Sequence, residues 1–99
     1  MREANVETYF KEQVEKRLGG MAPKFVSPGL NGVPDRLALL PGGRVIFVEL
    51  KAPKKNLRKL QEYVCGKIRA LGFTVLKIDT KEGVDAFITE VQNEKTDSI

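Results

Sequence analysis

Two apolar runs, residues 33–40 and 44–51, are separated by Pro41-Gly42-Gly43. Such turn residues between β-rich runs predict a hairpin. No other feature restricts the chain as much, because a hairpin loop fixes the register of both strands. With a three-residue loop Leu40 faces Arg44, Leu39 faces Val45, Leu37 faces Phe47 and Asp35 faces Glu49. Side chains alternate along a strand, so Asp35, Leu37 and Leu39 share one face with Val45, Phe47, Glu49 and Lys51. Directly opposed residues have Cβ atoms about 4.5–5.5 Å apart. Two carboxylates therefore meet at the end of an apolar face, with an ammonium two residues on.

Opposed like charges destabilise a sheet, and buried charges need partners. Lys51 can neutralise one carboxylate, giving a purely structural cluster at the sheet edge. A divalent cation would neutralise both and use them as ligands. Magnesium suits such a pair, because it takes one or two carboxylates together with waters and phosphate oxygens.

The segments around the hairpin supply further polar groups. Residues 3–18 read as a helix with Val6, Phe10, Val14 and Leu18 on its buried stripe, ended by Gly19-Gly20. At about 100° per residue, Glu7 and Glu3 both fall inside that stripe. Residues 24–27 are expected to form a short strand, followed by a loop over 27–32. Residues 55–71 read as a second helix, with Leu57, Leu60, Val64, Ile68 and Leu71 on one face and Gly72 as the stop. Gln61 lies about 40° from Leu57, on the same face, and needs a partner there. Residues 73–78 form a strand. Val84, Phe87, Ile88 and Val91 mark a last helix that gives way to a frayed polar tail over 92–99. The order α-β-β-β-α-β-α describes an α/β domain, a mixed β-sheet flanked by helices.

Composition narrows the chemistry. A chain of 99 residues is one domain, residues 1–99, with a modest core. It has no histidine, which removes Ser-His-Asp and Cys-His catalysis and any histidine general base. Chemistry must rest on carboxylates, lysine, tyrosine or a metal held by oxygen. Cys65 is the one cysteine, read as a small core residue, and no intrachain disulfide can form. Met1 to Asn5 lack an apolar signal-peptide core, and no run approaches the roughly 18–20 apolar residues of a membrane span. A cytoplasmic location is expected. Residues 51–69 hold seven basic residues and one acid, whereas 79–99 hold six acids and two lysines. The net +6 of the first segment suggests a polyanion such as nucleic acid, although a solvated lysine-rich helix has the same composition. Lys24, beside the loop, and Lys54, Lys55, Arg58 and Lys59, opening the second helix, are the candidate phosphate contacts. Arg36 points to the opposite sheet face, where a surface ion pair and a DNA contact both remain open. Tyr9 and Tyr63 could stack on bases, and packing is the preferred reading.

Gly32-Val33-Pro34-Asp35, then Glu49-Leu50-Lys51, then Gln61 resembles the PD-(D/E)xK nuclease signature in its VRR-NUC version. The resemblance extends to the Glu-bearing first helix and to Leu71-Gly72-Phe73 before a strand, and small stand-alone phage-type members are most similar. It implies a restriction-endonuclease-like core and a metal-dependent DNA endonuclease. Asp35, Glu49 and the Leu50 carbonyl would bind Mg²⁺ or Mn²⁺, with Glu7 completing the shell. Lys51 would orient or activate the attacking water, and Gln61 would support Lys51 or that water. Glu7 is preferred to Glu3 because its spacing to the helix-ending glycine resembles that of archaeal junction-resolving relatives. The resemblance also implies a homodimer acting on branched DNA, as a Holliday-junction resolvase does, in the host cytoplasm if phage-encoded. The alternatives are a non-catalytic nucleic-acid-binding module on the same scaffold and an interaction protein that pairs its acidic tail and basic patch with a partner.

Overall fold

A computed structural model describes residues 3–51 and 58–97, and the side chains of residues 5–51 and 58–94. Six elements follow in order: α1 (Glu3–Leu18), β1 (Arg36–Leu40), β2 (Arg44–Leu50), α2 (Lys59–Ala70), β3 (Thr74–Ile78) and α3 (Lys81–Asp97). The sheet order is β1-β2-β3, with β1 antiparallel and β3 parallel to β2. The hairpin has the expected register, from Leu40 opposite Arg44 to Arg36 opposite Val48. Its loop works because Gly42 and Gly43 take φ values of 85° and 77°, which residues with a side chain rarely adopt.

The short strand expected over 24–27 is instead a broken one, set slightly earlier. Met21 bridges to Leu39 and Lys24 to Arg36, both antiparallel, beyond the free edge of β1. Met21 and Leu39 exchange two backbone hydrogen bonds of 2.9 Å, and the Pro23 carbonyl accepts from Leu37 at 3.1 Å. Pro23 has no N–H to return, so the ladder cannot run continuously.

The two sheet faces are buried to different depths. Ala38, Leu40, Ile46, Val48, Leu50 and Ile78 pack with Val6, Phe10 and Val14 of α1 and Val84, Phe87, Ile88 and Val91 of α3. This is the main core, and the Phe10 and Phe87 rings meet in it at 5.8 Å. The other face carries Leu37, Phe47, Glu49 and Val75 and is covered by α2. Phe47 lies 5.9 Å from Phe25 and 5.5 Å from Phe73 there, ring centre to ring centre.

Three expectations about the helices need correction. The buried residues of α2 are Val64 and Cys65, whereas Leu60 is 50% and Leu71 77% exposed. Gln61 and Cys65 do turn inward as expected, and Gln61 meets the polar end of the sheet. The helix expected over 55–71 is shorter: Arg58 is extended and caps α2, which runs from Lys59 to Ala70, whereas residue 55 and Leu57 lie outside the described residues. Beyond Val91, α3 continues to Asp97, with an Arg44–Glu94 ion pair and Gln92 donating to the Arg17 carbonyl at 3.4 Å. Tyr63 is 63% exposed, beneath the Lys67 ammonium, and is not a packing residue. Among the described residues no helix is long and apolar enough to cross a membrane.

Candidate active site

The antiparallel ladder ends where Asp35 meets Glu49, and reciprocal bonds through side chains take over. The Asp35 N–H donates to Glu49 Oε1 at 3.0 Å, and the Leu50 N–H donates to Asp35 Oδ1 at 3.0 Å. Each carboxylate is thus held by the backbone of the other strand. Such charge-assisted bonds let two acids stand together at a strand end.

Glu49 is only 3% exposed, so its second oxygen must also be satisfied. Glu49 Oε2 lies 3.1 Å from Lys51 Nζ and accepts from Gln61 Nε2 at 3.1 Å. Lys51 is two residues along the same strand and therefore on the same face. Gln61 reaches in from the first turn of α2. Its other amide atom, Oε1, accepts from the Arg58 N–H at 3.2 Å and so caps the helix. One glutamine side chain ties the start of α2 to the buried carboxylate. Gly32 wedges the preceding loop against the same turn. A Cβ at Gly32 would stand 2.9 Å from Leu60 Cγ and 3.0 Å from the Leu60 carbonyl oxygen, and its φ of +89° itself favours glycine.

The structure brings together Asp35, Glu49, Leu50, Lys51 and Gln61. It does not bring Glu7 to them. Glu7 lies 3.3 Å from Arg36 Nη2, and Arg36 also donates to the Ala22 carbonyl at 2.6 Å. Arg36 is 8% exposed, so it is neither in a surface ion pair nor open to DNA. Its guanidinium holds the broken edge strand and α1 to the start of β1, on the sheet face opposite Glu49. A groove of about 360 Å³ opens there, lined among others by Glu7, Lys11, Lys24 and Arg36. Arg58 and Lys59 are exposed at the start of α2, beside Gln61, whereas Lys54 and Lys55 lie outside the described residues.

Among the described residues no group of three or more Asp, Glu, Cys or His comes close enough to hold a metal ion. The donor set at Asp35 and Glu49 is two carboxylates, with the Leu50 carbonyl on the backbone between Glu49 and Lys51. That fits a hard cation such as Mg²⁺, which keeps several waters and needs only one or two protein carboxylates. Cys65, one helical turn after Gln61, is not a ligand of that kind. Burial pushes its thiol above the usual range, and the Glu49 carboxylate adds in the same direction against the pull of Arg69.

No protein-family model matches the chain. A protein of Acyrthosiphon pisum secondary endosymbiont phage 1, described as "Putative nuclease p44", is 44% identical over 82 residues, covering 83% of this chain and 87% of its own length. A solved structure described as a VRR_NUC domain superimposes with a TM-score of 0.81 at 31% identity, over 90% of this chain and 97% of the other. The chain belongs to the VRR-NUC family. The three-stranded mixed sheet flanked by helices matches that fold. Within this VRR-NUC domain, sequence reasoning missed the Gln61 cap on α2, which a Gln three residues after a helix start does signal. It also missed Lys77, which stands opposite Glu49 on β3. Lys77 falls between the basic and acidic stretches of the chain, so charge counting does not single it out.

Proposed function

We propose that this VRR-NUC domain is a metal-dependent DNA endonuclease that cuts branched DNA as a homodimer. The observation that carries the reading is the convergence of Asp35, Glu49 and Lys51 on one sheet face, beside the exposed cations that open α2. The likeness to a phage nuclease supports the same activity. Asp35, Glu49 and the Leu50 carbonyl would hold Mg²⁺ or Mn²⁺. When bound, the ion supplies an electrophile at the phosphoryl oxygens and a more acidic water.

In hydrolysis a water oxygen forms a new bond to phosphorus, one ester P–O bond breaks, and the departing oxygen gains a proton. Lys51 is placed to steady the negative charge that grows on the phosphate, as a compact point charge on a flexible stem. Gln61 positions rather than reacts, because both ends of its amide are already engaged. Glu7 completes the site only if its ion pair with Arg36 opens. The protein is read as cytoplasmic.

Size and symmetry support homodimer action on a four-way junction. One small domain grips one DNA arm, whereas two copies about a two-fold axis present two sites to two equivalent strands. The test is incubation with labelled linear, flap and four-way-junction DNA in Mg²⁺. Paired nicks on the junction are expected. Binding without any cutting would favour a non-catalytic nucleic-acid-binding module instead.

A further inference from the structure

From the pairing of β2 with β3 we infer that Lys77 is a phosphate-gripping residue of the DNA strand being cut, a reading that rests on the nuclease function proposed above. Lys77 is the register partner of Glu49 in a parallel pair, so the two side chains leave the sheet on the same face. The burial pattern of β3 agrees. Ile78 belongs to the core under α1 and α3, whereas Val75 is buried outside that cluster, and Lys77 shares the side of Val75. α2 runs back along β3: Arg69 donates to the Val75 carbonyl at 2.9 Å, and the Gln61 end of the helix reaches Glu49. Lys77 therefore flanks the first turn of α2, one strand over from the buried carboxylate.

It is also uncommitted. The Glu49 oxygens are taken by the Asp35 N–H, Lys51 and Gln61. Among the described residues no salt bridge joins Lys77, and it is exposed. Neighbouring strands lie about 4.8 Å apart. A DNA strand carries one phosphate per roughly 3.4 Å of rise. A lysine one strand away from the reacting centre thus meets a phosphate one or two positions along from the one being cut. Lys51 and Lys77 divide the work: one faces the reacting phosphate, the other holds its neighbour.

Lysine on an edge strand also blocks edge-to-edge association. Charge reversal separates that role from this one, because Lys77→Glu still puts a charge on the edge. Binding to a fluorescent four-way junction in EDTA is measured by anisotropy over a salt series, followed by steady-state cleavage in Mg²⁺. Lys77→Ala should weaken binding roughly two- to fivefold. It should lower the salt slope by about 0.9, and raise KM while kcat holds. Lys77→Glu should weaken binding further yet remain unaggregated, and Lys16→Ala on α1 should bind as the wild type does. Wild-type affinity and slope in both Lys77 variants, with a wild type that binds and cuts, would overturn this inference alone. A fall in kcat at constant KM would overturn the grip in favour of a role at the reacting phosphate. A wild type that binds no DNA would overturn this inference and the nuclease reading together.

Discussion

Glu49 is the residue on which most of the local physics converges. A carboxylate 3% exposed is tolerable only because a backbone N–H, an ammonium and an amide all point at it. Opposed acids suggest that neutralising either would relieve repulsion and leave the fold intact. In the structure Glu49→Gln turns an NH₂ group toward existing donors, and such an unsatisfied contact costs about 1–3 kcal/mol. Chemical denaturation should show that loss for Glu49→Gln and a smaller one for the less buried Asp35→Asn. Lys51→Ala should depress kcat far more than DNA affinity, in single-turnover cleavage compared with anisotropy. An equal loss in both would make Lys51 a simple phosphate contact. Cys65, buried and with its thiol pushed upward, should react with a thiol reagent in the folded protein only after unfolding. The pairing of Asp35 with Glu49 and the position of Lys51 were legible in the sequence, because a three-residue loop fixes register and alternation fixes face. The fate of Glu7 was not. Helical angle puts it on the inward side but says nothing of Arg36, which arrives from a strand distant in sequence.

The elements join the site through α2. Gln61 caps that helix with one amide atom and holds Glu49 with the other, so helix order and carboxylate position are coupled. Two substitutions separate the roles. Gln61→Glu keeps an acceptor for the Arg58 N–H but sets a carboxylate against Glu49. Gln61→Ala removes both bonds. Hydrogen exchange in the first turn of α2 should quicken for Gln61→Ala and stay near wild type for Gln61→Glu, while both variants cut slowly. Faster exchange in both to the same degree would leave the cap unsupported. At the far side of the molecule, Tyr9 donates to Asp85 at 2.6 Å and joins α1 to α3. That bond raises the Tyr9 pKa above its ordinary 10.0, because only the protonated phenol can donate. Its contribution is complete below about pH 10 and is lost as pH climbs through the raised folded value. Sequence periodicity found α1 and the core side of α3, where apolar spacing and burial agree. On α2 it placed Gln61, Val64 and Cys65 inward correctly but misjudged Leu60, which leans outward on Gly32, and Leu71, which is exposed. It misplaced the first strand, because periodicity does not weigh the missing N–H of Pro23 against the pairing on either side.

At the scale of the whole molecule, a three-stranded sheet has its main core on one face and carries the Asp35–Glu49 pair on the other, under α2. Among the described residues the first turn of α2 and the end of the 27–32 loop meet beside the site, at Leu60 and Gly32. Light scattering should give about twice the 11.0 kDa chain mass at micromolar concentration if two copies act together. A monomer that remains monomeric on junction DNA would remove the dimer and leave the nuclease. The central claim is that Asp35 and Glu49 hold a divalent cation that cutting requires. The most direct measurement follows cleavage of a labelled four-way junction by purified wild type and Asp35→Asn, each in Mg²⁺, in Mn²⁺ and in excess EDTA. Wild type should cut in either metal and not in EDTA, while Asp35→Asn binds the junction and leaves it whole. Robust cutting by wild type in EDTA, or by Asp35→Asn in Mg²⁺, would contradict the account.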